Sequence, residues 1–396
     1  MPRFRMISAP DPRPHKHLNL LCITHHDKFQ GSTRSLFSLL EGLRAYPVTP
    51  YVIVPAESAF TAQLAKEGIP FKILPVPWWM SAKHLNQRAR IKAAREIQAA
   101  ARAVEAQIRA WKIDLVYTNS SVTPVGRLAA RRAGVPHIWQ IREFGDLDFD
   151  LHFIFPGWLS RRFISGSEAV ICHAKAVQAH DFSGPRPNVY QIVNGAAAQP
   201  VFEERLRRRQ AAPVSELYTF LMLSVISPKK GQEQAVRALA NLRQEGIPSR
   251  LILAGSGRQD FLNQLQALVS ELDLQDWVSF AGFVNDPLPL YYQADCALVC
   301  SENEAFSRVA LEAMSTALPV IGKNSGGTPE IIVHGKTGFL YDSFEELVAS
   351  MKNMVQEPEE ARQMGLAGWQ RAREVFSIEK CAASVYQIIQ SVVNKA

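Results

Sequence analysis

The chain has 396 residues, 47% hydrophobic and 20% charged, a globular composition on a length too great for one ordinary core, so two domains are expected. No window approaches twenty uninterrupted apolar residues, which excludes a membrane-spanning helix, and the five cysteines (Cys22, Cys172, Cys296, Cys300, Cys381) are odd in number and widely spread, which speaks against a disulfide frame or a zinc site. The formal net charge of +7 suits an anionic partner, whether nucleic acid, acidic lipid or a phosphorylated substrate, with the excess concentrated between Lys83 and Lys112 and in Arg205 to Arg209.

Met1 to His17 is rich in Pro, Arg and His and reads as a disordered leader on a cytoplasmic protein. From Leu18 onward short apolar runs alternate with helical patterns: Leu18–Ile23, Tyr51–Val54, Phe71–Leu74, Leu115–Tyr117, His137–Ile141, Ala169–Cys172 and Val189–Val193. The scheme repeats with Phe220–Val225, Leu251–Ala254, Val278–Phe280, Cys296–Cys300 and Pro319–Ile321. Such alternation predicts βα units on parallel sheets, hence an α/β fold of two doubly wound, Rossmann-like domains. The expected division is a leader at 1–17, a domain at 18–195, a linker at 196–213 where Asn194-Gly195 is followed by an Ala/Pro/Arg/Gln-rich stretch, and a domain at 214–376. The segment 377–396, apolar at helical spacing, is expected to form a helix packing back across the linker.

Within the first domain, Gln30-Gly31-Ser32 precedes an amphipathic helix and reads as a turn and cap. Lys83 to Trp111 reads as a long basic helix. With Trp78-Trp79-Met80 before it, it is either a solvated cover of the sheet or a contact for an anionic membrane surface. His137-Ile-Trp-Gln-Ile-Arg142-Glu143 ends a strand in a polar pair that suits either ligand contact or a mutual salt bridge, and His173 ends the next strand.

The most informative stretch begins at the end of a buried strand and enters a helix: Cys300-Ser-Glu-Asn-Glu304-Ala-Phe306-Ser307-Arg308-Val309-Ala-Leu-Glu312. Ser307 is a helix cap, leaving backbone N–H groups around Phe306 to Val309 to receive diphosphate oxygens. Glu304 and Glu312 are then placed to accept hydroxyl hydrogen bonds from a sugar and a ribose. As two acids alone they are equally exposed helix-end residues.

Together with Pro319-Val-Ile, Gly326-Gly327, Glu330 and Gly335-Lys-Thr-Gly338-Phe-Leu, this stretch resembles the donor-binding signature of the family-4 retaining glycosyltransferases of the GT-B fold, in which two Rossmann-like domains face each other across a cleft. Ser227-Pro-Lys-Lys230-Gly231, Ala254-Gly255-Ser-Gly257 and Phe280-Ala-Gly-Phe-Val284 resemble the family's basic loop, its turn after a strand and its segment beside the base. The resemblance implies that Lys230 neutralises the donor diphosphate, Glu304 binds the transferred sugar and Glu312 the ribose. Gly31 would face the donor phosphates, Arg142 the sugar or acceptor, and Gly255, Val284, Phe306, Ser307, Arg308 and Val309 would line the donor site.

It further implies a UDP- or GDP-sugar as donor, no bound cofactor or metal, and retention of anomeric configuration. The acceptor hydroxyl would belong to a bacterial surface glycan or lipid-linked precursor, with the enzyme cytoplasmic and peripheral on the inner face of the membrane. Val225 stands where many relatives carry arginine and Ser307 where they carry glycine; Arg308 and Lys229 are the cations at hand. The alternatives are a nucleotide-sugar epimerase or hydrolase and a non-catalytic sugar-nucleotide-binding scaffold; nucleic acid is not an expected partner.

Overall fold

The structure is a computed structural model, and it describes residues 17–29, 31–182, 184, 186–212 and 217–395. The leader expected at 1–17 thus lies outside the described residues apart from His17, as do Gln30 and Pro213. The chain divides into two compact units, one of residues up to Gly195 together with those from Ile378, the other Ala196–Ser377.

The first unit is built on a parallel sheet of strands β1 (Leu18–Ile23), β2 (Val48–Val54), β3 (Phe71–Ile73), β5 (Leu115–Thr118), β6 (His137–Ile141), β8 (Ala169–Cys172) and β9 (Val189–Gln191), in the order β3-β2-β1-β5-β6-β8-β9. Two short segments, β4 (Met80–Ser81) and β7 (His152–Phe153), pair antiparallel apart from it. Because successive side chains point to opposite faces, β1 feeds two cores. Leu18, Leu20 and Cys22 pack with the helix Gly31–Leu43 and with the C-terminal helix Ile378–Val393. Leu21 and Ile23 pack with the helices Gln87–Ala110 and Val125–Ala133. A strand covered on both faces reads as a continuous apolar run, which is why LNLLCI was legible.

The second unit repeats the plan with β10 (Tyr218–Leu223), β11 (Ser249–Ala254), β12 (Val278–Gly282), β13 (Cys296–Val299), β14 (Val320–Lys323) and β15 (Gly338–Tyr341), ordered β12-β11-β10-β13-β14-β15. Every pairing in it is parallel.

Two readings of the sequence change. Within the stretch 196–213 read as a linker, Gln199–Gln210 is an α-helix of the second unit, with Phe202 fully buried. Two of its arginines, Arg205 and Arg209, turn inward, while Arg207 and Arg208 stay exposed. Arg209 donates to the carbonyls of Thr316 and Ala294 at 3.1 and 2.9 Å and to that of Tyr291, while Arg205 reaches Ser315 Oγ at 2.5 Å. Part of the basic excess assigned to an anionic partner therefore neutralises helix-end and loop carbonyls instead. The long basic helix starts at Gln87, where the Asn86 side chain accepts from Ala89 N at 2.9 Å. Trp79 and Met80 before it are buried, Trp79 stacking on Trp139 at 5.8 Å, so they offer nothing to a membrane surface.

Candidate functional site

In the second unit the strand order reverses between β10 and β13, and open parallel sheets bind ligands outside the carboxyl ends of such strands. The loop leaving β10 closes through a 3-10 turn at Pro228–Lys230, and Gln232 braces it by donating to Ser224 Oγ and to the Val225 carbonyl at 2.9 and 3.0 Å. Gly255 follows β11 with φ +144°, and a Cβ there would come within 1.8 Å of the Ser224 carbonyl oxygen. Glycine alone permits these two loops to touch.

The chain leaving β13 is held by its neighbours. Asn303 N donates to Ser325 Oγ at 2.9 Å and Gly327 N to the Glu304 carbonyl at 2.7 Å. Gly326, φ +58°, sits so close that a Cβ would lie 2.3 Å from that same carbonyl oxygen. With its backbone clamped, Glu304 turns its carboxylate to Lys230, Nζ to Oε2 2.7 Å, both side chains half-buried. Ser307 Oγ accepts from Ala310 N at 3.2 Å and caps the helix Arg308–Ser315. Phe306 and Ser307 are buried at this N-terminus, Arg308 and Val309 half-buried.

One turn into that helix Glu312 takes Arg308 Nη2 at 2.9 Å and the hydroxyl of Tyr291 at 3.1 Å. Burial and the adjacent carboxylate hold the Tyr291 phenol well above its usual range, so it stays a donor. Val284 is half-buried past the end of β12, and Val225 is 61% exposed. A lysine and a capped helix N-terminus thus face one edge with two carboxylates, a set that can hold a diphosphate by its charge and sugar hydroxyls by acceptors.

The first unit brings a different set to its carboxyl edge. Arg142 donates to the side chains of Asn119, Asn194 and Gln140 at 2.6, 3.0 and 2.6 Å, and His173 sits buried between Gln140 and Asn194. Burial pushes the His173 imidazole well below its usual pKa and keeps it neutral. Glu143 accepts from Ser120 Oγ, Ser121 N and Ser121 Oγ at 2.6, 2.6 and 2.7 Å. Arg142 and Glu143 therefore serve two separate networks rather than a mutual salt bridge. Gly31 opens the helix Gly31–Leu43, and Asn119 ties that loop down by donating to the Ser32 carbonyl at 3.1 Å. Ser120, Ser121, Tyr291 and His25 were not singled out from the sequence; each is recognisable only by what it touches.

The profile described as Glycosyl transferase 4-like domain matches residues 30–214, and that described as Glycosyl transferases group 1 matches residues 203–371. The chain belongs to the family-4 glycosyltransferases of the GT-B fold. It is 34% identical over 199 residues to the alpha-1,3/1,6-mannosyltransferase of Mus musculus, covering 46% of this chain and 47% of that one. It is 28% identical to the GDP-mannose-dependent alpha-(1-6)-phosphatidylinositol monomannoside mannosyltransferase of Mycolicibacterium smegmatis, over 63% of this chain and 61% of that one. The chain thus spans about half to three fifths of the length of these relatives. In fold it is similar to Anabaena HepE, solved in complex with UDP and glucose, with a TM-score of 0.76 and 21% identity over 95% of this chain and 100% of that one.

Proposed function

We propose that the protein is a retaining, metal-independent glycosyltransferase that moves a sugar from a UDP- or GDP-sugar to an acceptor hydroxyl of a surface glycan or lipid-linked precursor in the cytoplasm. The observation that carries this reading is the Lys230–Glu304 pair, 2.7 Å apart at the switch point of the second unit and beside the N-terminus capped by Ser307. When the glycosidic bond breaks, charge develops on the departing diphosphate. Lys230 and the N–H groups of Phe306 to Val309 stand where such charge is stabilised without a divalent ion. Glu304 is the acceptor for hydroxyls of the transferred sugar, and Glu312, oriented by Arg308 and Tyr291, is the acceptor for the ribose. Glu304, tied to Lys230, is poorly placed to be a nucleophile. This favours same-face displacement, in which the leaving phosphate helps to deprotonate the acceptor.

Membrane contact, in this reading, moves from Trp79 and Met80 to the helix Gly157–Ser165, whose Trp158 is 70% exposed beside exposed Leu159 and Arg162, with Phe149 63% exposed nearby in sequence. The test of function is calorimetric titration with UDP, GDP and their mannose, glucose and N-acetylglucosamine conjugates, with and without EDTA, followed by assay of donor consumption with and without lipid-linked acceptors. EDTA-insensitive binding of one nucleotide, lost in Lys230→Ala, is expected. Binding of none, or binding that requires a divalent ion, overturns the reading, and turnover without any acceptor turns it to a hydrolase.

A further inference from the structure

We infer that the first unit carries a sugar-binding platform in which a pyranose ring of the acceptor lies on Trp78 and one of its hydroxyls hydrogen-bonds to His25; the inference rests on the glycosyltransferase reading above. The strand order of this unit reverses between β1 and β5, so its ligand position lies off the carboxyl ends of those two strands. Thr24, His25 and His26 leave β1 there, and Asn119 to Ser121 leave β5.

Two independent observations mark the place. Nδ1 of His25 is buried and has no hydrogen-bond partner among the described residues. Trp78 is 39% exposed, yet its indole is fixed: Nε1 donates to the His25 carbonyl at 3.3 Å, and the ring meets the His25 imidazole edge-on at 5.4 Å between centroids and 65° between planes. The exposed part of the indole offers an electron-rich surface suited to the polarised C–H face of a sugar.

The chemistry of Nδ1 selects among ligands. Burial, with His26 and Arg142 adding repulsion, lowers the His25 pKa to about 3, so the ring is neutral at physiological pH. Nδ1 is then either a bare lone pair or an N–H without an acceptor, depending on tautomer. An anion satisfies only the second and a cation only the first, whereas a hydroxyl, both donor and acceptor, satisfies either. The neighbouring guanidinium of Arg142 is engaged by Asn119, Gln140 and Asn194. A neutral polyol therefore fits this position better than a phosphate.

The test is saturation-transfer NMR on the full chain with methyl α-D-mannopyranoside, methyl α-D-glucopyranoside and methyl β-D-galactopyranoside as probes, alongside nucleotide calorimetry on the same samples. Transfer to at least one glycoside is expected in the wild type, weakened about tenfold in Trp78→Leu and in His25→Ala and partly restored in His25→Gln, with nucleotide affinity unchanged in all three. Glycoside binding without nucleotide binding would sink the donor reading and leave the platform standing. No transfer to any probe in protein that binds nucleotide overturns the inference. So does a signal that survives Trp78→Leu but vanishes in Glu304→Gln, which would put the sugar in the second unit.

Discussion

Lys230 and Glu304 keep 29% and 22% of their side-chain surface, and an ion pair of that exposure adds only about 0–1 kcal/mol to stability. Lys230→Ala should accordingly leave the urea midpoint almost unmoved while weakening UDP or GDP binding at least tenfold, about 1.4 kcal/mol. A variant that unfolds instead would assign the pair to the scaffold. Asp148 makes the opposite kind of prediction. Its carboxylate accepts from Phe144 N and Gly145 N at 3.0 and 2.8 Å, yet burial, with Glu143 close by, raises its pKa to about 6. A raised carboxylate holds its proton more tightly when folded. Its contribution to stability is therefore complete below the unfolded value near 4 and is lost as pH rises towards 6, a change on the order of 2–3 kcal/mol. Urea unfolding from pH 4 to 7 should show that loss in the wild type and a flatter curve in Asp148→Asn; identical curves would remove Asp148 from the account. Glu304 and Glu312 were legible in the sequence because their spacing is fixed by one loop and one helix. The network of Glu143 with Ser120 and Ser121 was not, since it joins residues 22 and 23 positions apart across two strand ends.

At the scale of elements, the helix Gln199–Gln210 shows how charge misleads. The run Arg207-Arg208-Arg209-Gln210 was read as part of a linker whose charge suits an anionic partner, yet Arg209 is partly buried and donates to three carbonyls in the second unit. Removing it leaves those carbonyls without a donor, so Arg209→Ala should cost about 2–4 kcal/mol of that unit's stability, seen in its thermal midpoint. A loss below 0.5 kcal/mol, the usual range for surface changes, would show the side chain to be solvated after all. The strand Gly338–Tyr341 was legible as a motif, Gly-Phe-Leu, but not as a strand, because four residues beside a turn carry too little alternation to register. The exposed face of Gly157–Ser165 went unread for a related reason. Nine residues of mixed Trp, Leu, Arg and Phe do not say which side is covered. If that face meets lipid, vesicles of phosphatidylglycerol and phosphatidylcholine should co-sediment the protein at low salt. Trp158→Ser with Leu159→Ser should then abolish the effect, and equal sedimentation of both proteins would rule this face out.

For the molecule as a whole, the chain's return matters more than its linear order. The helix Ile378–Val393 comes after every element of the second unit but buries Cys381, Ala382, Val385, Tyr386, Ile388, Ile389 and Val392 in the core of the first, and Tyr386 stacks on Tyr46 at 4.3 Å. Its amphipathicity was plain from sequence; its partner was not, because hydrophobic spacing names a face and not the surface that covers it. The arrangement separates the two stabilities by experiment. Ala382 is fully buried, and a carboxylate placed there has no partner to offset its desolvation. Ala382→Asp should therefore destabilise the first unit by roughly 3 kcal/mol or more, lowering its transition by about 6–12 °C. The transition of the second unit should stay in place, and saturating UDP or GDP should raise it alone, since a ligand stabilises only the unit that binds it. Scanning calorimetry of wild type and variant, each with and without nucleotide, reads both effects in one experiment. If both transitions fall together in Ala382→Asp, or nucleotide raises the transition that the substitution lowers, the C-terminal helix and the donor site belong to one cooperative body, and the division of labour between the units proposed here is wrong.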